Sequence, residues 1–96
     1  MVYYVILANW TDEGIRGIRQ STDRVDAFRA RVAEAGGKVL QFLYTMGVHD
    51  VVIVAEFPSD DAANRVVLHT GMQGFVRSVT LKAWSPEEFR ALASDV

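Results

Sequence analysis

The sequence predicts an α+β domain with the element order β-α-β-β-α-β and a short terminal helix, and three observations carry that prediction. Four runs rich in β-branched, aliphatic and aromatic residues are spaced along the chain. Segments with apolar residues at helical spacing separate the first run from the second and the third from the fourth. The second and third runs are joined by a connection too short for a helix, so they form an antiparallel hairpin. Right-handed crossovers then put both helices on one face of a four-stranded antiparallel sheet, the ferredoxin-like split βαβ arrangement.

Each element has a local reason. Val2 to Ala8 is the first strand, and the polar stretch from Thr11 to Ser21, with glycines at 14 and 17, is an irregular connection. Ser21 or Thr22 caps the first helix, whose Val25, Phe28 and Val32 recur at helical spacing, and Gly36-Gly37 stops it. Val39 to Thr45 and Val51 to Phe57 are the hairpin strands, with residues 46–49 as the turn. Ser59 caps the second helix, with Asp60 and Asp61 in its first turn, where the helix dipole favours anions. Phe75 to Trp84 is the last strand. Ser85-Pro86-Glu87-Glu88 combines a capping serine, proline at the first helical position and glutamate three residues on, a strong start for the terminal helix.

Composition bounds the function. The 96 residues form one domain, residues 1–96, with 50% hydrophobic residues and a net charge of -2. That balance argues against nucleic-acid or anionic-membrane partners. Without cysteine there is no disulfide, zinc-thiolate site or thiol nucleophile. The two histidines lie 20 residues apart, which is not a metal-site spacing, and no cofactor motif is present. The apolar run from Val2 to Ala8 is too short to cross a bilayer and lacks the flanks of a secretory signal, so the expected location is cytoplasmic.

Alternation along the strands divides the sheet into two faces. Tyr4, Ile6, Ala8, Leu40, Phe42, Tyr44, Val51, Ile53, Ala55, Phe57, Val79, Leu81 and Ala83 are assigned to the face under the helices. The opposite face receives Tyr3, Val5, Leu7, Val39, Leu43, Val52 and Val54, with Ser78, Thr80 and Lys82 from the last strand. A solvent-exposed face alternates to polar residues, and this one does not. Burial against a second copy is therefore expected, giving a homodimer joined through the open sheet face.

Polar residues at the strand ends are the candidate ligand contacts. Asn9, Trp10 and Thr11 end the first strand, and His49 and Asp50 precede the third, so antiparallel neighbours would bring them together around a pocket. Asp50 also has a structural reading, as an acceptor for backbone amides at the turn. Glu56, with Lys82 of the same assigned parity as its counter-ion, is a second candidate.

Three segments in register resemble the GYD domain family of small bacterial and archaeal proteins. They are Trp10-Thr11-Asp12-Glu13-Gly14-Ile15-Arg16, then Met46-Gly47-Val48-His49-Asp50-Val51-Val52, then Glu56-Phe57-Pro58 with Asp60 just beyond. His49 stands where the family usually has tyrosine, which a hydrogen-bonding wall would tolerate and a required phenol would not. The resemblance implies a ferredoxin-like domain that pairs into a dimeric α+β barrel, and it carries no settled activity. The leading reading is a homodimeric small-molecule-binding protein, catalytic or regulatory. A cofactor-independent or haem-using monooxygenase-like enzyme is the alternative. Haem-degrading barrels use an asparagine, a tryptophan and a histidine in a layout that Asn9, Phe57 and His69 partly echo. A purely structural or protein-interaction module is the third reading.

Overall fold

A computed structural model describes residues 1–96. Its elements are β1 (Val2–Trp10), α1 (Asp12–Arg16), a 3-10 turn (Ile18–Gln20), α2 (Ser21–Glu34), β2 (Lys38–Tyr44), β3 (Val51–Phe57), α3 (Asp60–Met72), β4 (Val76–Ala83) and α4 (Pro86–Ala93). The four strands make one antiparallel sheet in the order β2-β3-β1-β4, the ferredoxin-like βαββαβ topology. The connection expected to be irregular is instead a short helix followed by a 3-10 turn. Thr11 starts that helix, because its side chain accepts from the Gly14 amide.

The central strands alternate as their sequences require. Tyr4, Ile6 and Ala8 of β1 and Val51, Ile53, Ala55 and Phe57 of β3 are buried, and Phe28, Val32, Ala63 and Val66 of α2 and α3 close the core over them. Gly36, at a φ of +82°, makes the left-handed exit from α2. Ser59 caps α3 through the Ala62 amide, and Ser85 and Glu88 form a reciprocal capping box at α4. Ser85→Ala should destabilise α4 by about 1 kcal/mol. Because the Phe89 amide donates to the Ser85 carbonyl at 2.9 Å, faster hydrogen exchange at Phe89 is the readout; unchanged exchange would mean the cap does not hold this helix.

The two edge strands depart from the expected alternation. In β2 the register shifts between Val39 and Gln41, so Val39 lies opposite the buried Ala55 and packs on the core, while Leu40 is 38% exposed. One extra residue flips every side chain before the bulge to the other face. In β4, Lys82 is opposite Tyr4, Thr80 opposite Ile6 and Ser78 opposite Ala8. Partners directly across a ladder share a face. Thus Ser78, Thr80 and Lys82 lie on the helix side, and Val79, Leu81 and Ala83 lie on the open face, the reverse of the sequence assignment. The open face consequently gains apolar residues beyond those the sequence assigned to it: Val79 and Leu81, about half exposed, join Leu43, Val5, Leu7, Val52 and Val54.

This reversal also separates Glu56 from Lys82. Glu56 is on the open face, opposite Tyr3 and Lys38. Lys82 is on the helix face and pairs with Asp60 at 3.3 Å, while Asp60 also accepts from the Tyr4 hydroxyl. The expected Glu56–Lys82 pair does not form. Burial first, and then the bond to Asp60, push the Tyr4 hydroxyl from 10.0 up to about 12. The Tyr4 bond, followed by the Lys82 contact, lowers Asp60. The signs give two pH windows. Below pH 10.0 Tyr4 is protonated in both the folded and unfolded chain, and stability falls as pH rises from there toward about 12. The Asp60 contribution is present above the ordinary carboxylate value of 3.8 and is lost as pH falls through its lowered value. Denaturation midpoints measured between pH 9 and 12 should fall steeply in the native chain and more shallowly in Tyr4→Phe; parallel curves would show that Tyr4 is not the group involved.

Candidate ligand-binding site

Antiparallel pairing of β1 with β3 sets Ala8 opposite Val51, so the end of β1 meets the turn before β3. The Asn9 side-chain amide donates to the Val48 carbonyl at 2.7 Å, and its oxygen pairs with His49 Nδ1 at 2.9 Å. Since that oxygen can only accept, the proton of the bond belongs to Nδ1 and the imidazole acts as donor. Asp50 Oδ2 accepts from the Trp10 amide at 3.0 Å, and the Asp50 amide donates to the Ala8 carbonyl at 2.9 Å. Thr45 closes the turn through its hydroxyl bond to the His49 carbonyl at 2.6 Å. Asn9, Trp10, His49 and Asp50 therefore do gather at one end of the sheet, joined by hydrogen bonds to one another and to backbone. They are a clasp joining β1 to the hairpin.

Thr11 forms a second clasp. Its hydroxyl donates to the Gly74 carbonyl at 2.6 Å and its amide donates to the Phe75 carbonyl at 3.1 Å. The same hydroxyl accepts from the Gly14 amide at 3.0 Å. Gly14 is pressed against the start of β4: a Cβ built on it would sit 2.0 Å from the Phe75 carbonyl oxygen. The Trp-Thr-x-x-Gly segment is thus a device that seats the first helix on β4, and its glycine is required by space.

An apolar recess lies apart from the hydrogen-bonded atoms of these clasps. Between α2, α3 and the sheet is a cavity of about 70 Å³ with 15 lining residues, 11 of them hydrophobic. Ile6, Trp10, Phe28, Phe42, Val67 and Val76 are among its walls. Trp10 is the one candidate from the sequence that lines it. Its ring stacks on Tyr44 with centroids 6.3 Å apart at 27°. Ser21, expected to cap α2, turns inward instead: it is buried, and its hydroxyl pairs with Tyr44 Oη at 2.9 Å. Arg24 is the only charged lining residue. Its guanidinium carbon lies 4.5 Å over the Phe75 ring centroid, and Nη1 donates to the Gly17 carbonyl at 3.1 Å. Neither had a sequence signal as a wall, because Ser21 reads as a helix cap and Arg24 as an ordinary position of an amphipathic helix.

Other candidates are dispersed. Glu56, Lys82 and the clasp occupy three separate places. Asn9 is near one end of the sheet, opposite Arg77, while Phe57 is opposite Val2 at the other end and fully buried. His69 is exposed on α3. The layout that would echo the haem-degrading barrels is therefore not assembled. No three metal-ligating side chains converge anywhere, and no helix is long and apolar enough to cross a membrane.

These features define a ferredoxin-like α+β domain with an apolar cavity under its helices and an uncovered sheet face. The GYD domain matches residues 4–93, and the chain belongs to that family. Among solved structures it is similar to TTHA0845 from Thermus thermophilus, with a TM-score of 0.55 and 21% identity. The match covers 88% of this chain and 95% of that one, a likeness of fold alone. No curated protein matches the chain.

Proposed function

We propose that this GYD domain protein is a homodimer that binds a small molecule in the cavity between its sheet and helices. The cavity carries the reading. An apolar recess with a few convergent polar groups is the ordinary form of a small-ligand site. Its lining contains no histidine, lysine or carboxylate. General acid–base catalysis needs a group that exchanges a proton near neutral pH, so the lining favours binding in a regulatory role over acid–base turnover. The dimer rests on the open face, where Leu43, Val79 and Leu81 are each about half exposed beside four further aliphatic residues. Contiguous apolar surface of this kind marks an interface, and the commonest partner for such a face is a second copy.

Methyl-resolved NMR titration with isobutanol tests the cavity. Shifts should concentrate on Ile6, Val25, Val67 and Val76. Shifts confined to Val52, Val54 and Leu81 would place binding on the open face instead and remove the observation on which the reading stands. Absence of any saturable shift would favour the purely structural alternative.

A further inference from the structure

We infer that the cavity selects a short aliphatic monoanion, its carboxylate held by Arg24 and its hydrocarbon end among the apolar walls. This inference rests on the small-molecule reading above and adds the ligand's charge and size.

Charge comes from Arg24. It is half-buried and has no carboxylate within ion-pair distance, since the only ion pair in the chain joins Lys82 to Asp60. Surface arginines find solvent or a carboxylate, whereas this one is folded over Phe75 against the cavity wall. Two of its N–H groups are directed at the Gly17 and Gly14 carbonyls, at 3.1 and 3.5 Å, the second being long. A guanidinium carries five N–H donors in a fork that fits a carboxylate, so donors remain for an anion. Low surrounding polarity strengthens such a pairing.

The other polar groups of the lining do not compete for that role. Ser21 is paired with Tyr44, and the Thr70 hydroxyl donates to the Val66 carbonyl at 2.8 Å. No acidic residue lines the cavity to repel an anion or to neutralise the arginine. Thr70, Ser21 and Ser78 supply hydroxyls, and apart from Arg24 the remaining walls are apolar.

Size comes from the volume. A cavity that accepts benzene measures about 150 Å³, and this one measures about 70 Å³. A branched or linear chain of about three or four carbons matches that space. Isobutyrate and its neighbours in length are the fitting class.

Trp10 lines the cavity and Trp84 does not, so fluorescence of the Trp84→Phe chain reports on the site. That chain is titrated with isobutyrate and with isobutyramide, the uncharged molecule of nearly the same shape, at constant ionic strength. The expected result is saturable quenching or a spectral shift with isobutyrate at concentrations at least tenfold lower than with isobutyramide. Arg24→Gln should abolish that preference, and Arg24→Lys should restore part of it. Loop loosening in Arg24→Gln is separated from loss of the anion contact by the amide, whose binding a correctly folded variant retains. Equal binding of acid and amide by the native chain would overturn the inference and leave the small-molecule reading standing. Binding of neither would overturn both.

Discussion

Gly14→Ala should unfold the chain at a temperature well below that of the native protein. The new methyl group would sit 2.0 Å from the Phe75 carbonyl oxygen and 2.9 Å from its carbon, both backbone atoms. No rotamer can relieve that overlap. The first helix must lift from β4, breaking the bond from the Thr11 amide to the Phe75 carbonyl. Overpacking of this kind costs about 3 kcal/mol, which in a domain of this size lowers Tm by roughly 10–20 °C. Gly71→Ala is the matching control. Nothing lies within 4 Å of a Cβ there, and the residue is inside α3. Alanine should therefore raise stability by about 0.5–1 kcal/mol. Equal melting temperatures for the two variants would contradict the close approach of the first helix to β4.

Val52→Asp should convert the proposed dimer to a monomer while leaving the fold intact. Val52 lies across from Leu7 and Leu43 in the middle of the open face, away from the core beneath the helices. In a separated chain the new carboxylate stays hydrated and costs little. In a sheet-to-sheet dimer it is buried without a partner, at a cost of about 3–5 kcal/mol, and twofold symmetry places a second copy of the same charge in the interface. Light scattering at micromolar concentration should give a mass near twice 10.7 kDa for the native chain and near 10.7 kDa for the variant. A native mass of 10.7 kDa that does not change on dilution would refute the dimer. Leu81→Asp should behave in the same way, because β4 turns Leu81 to this face.

The parts of the fold legible in the sequence are those fixed by nearby residues. Ser59 and Ser85 announced their helices because a capping side chain reaches amides only two or three residues away. The strands β1 and β3 were legible because one face of each is sealed by the helices, so their alternation is strict. Edge strands lose that discipline. Leu40 sits in a bulge that no single residue type signals, and β4 is exposed on much of both faces, so its apolar residues did not reveal which face they serve. The misplaced Glu56–Lys82 pair followed directly from that one parity error.

The site was legible in its geometry and not in its volume. Antiparallel β1 and β3 were enough to bring Asn9 and His49 together. Their hydrogen bonds to each other, which tie β1 to the hairpin turn, had no signal in the sequence. The cavity itself is assembled from strands and helices distant in sequence, with walls of ordinary core residues such as Ile6, Phe28 and Val67. Packing defects of that kind carry no motif. Ser21 illustrates the limit, since a serine at a helix start reads as a cap and here faces inward to Tyr44.

Crystals of the native protein held under xenon pressure give the most direct measurement of the cavity on which the proposed function depends. Xenon occupies apolar recesses without needing a hydrogen bond. A strong xenon site enclosed by Ile6, Phe28, Phe42 and Val67 is the expected result. Xenon found only on the open face or at the surface, with the space between α2, α3 and the sheet closed by side chains, would contradict a ligand site there.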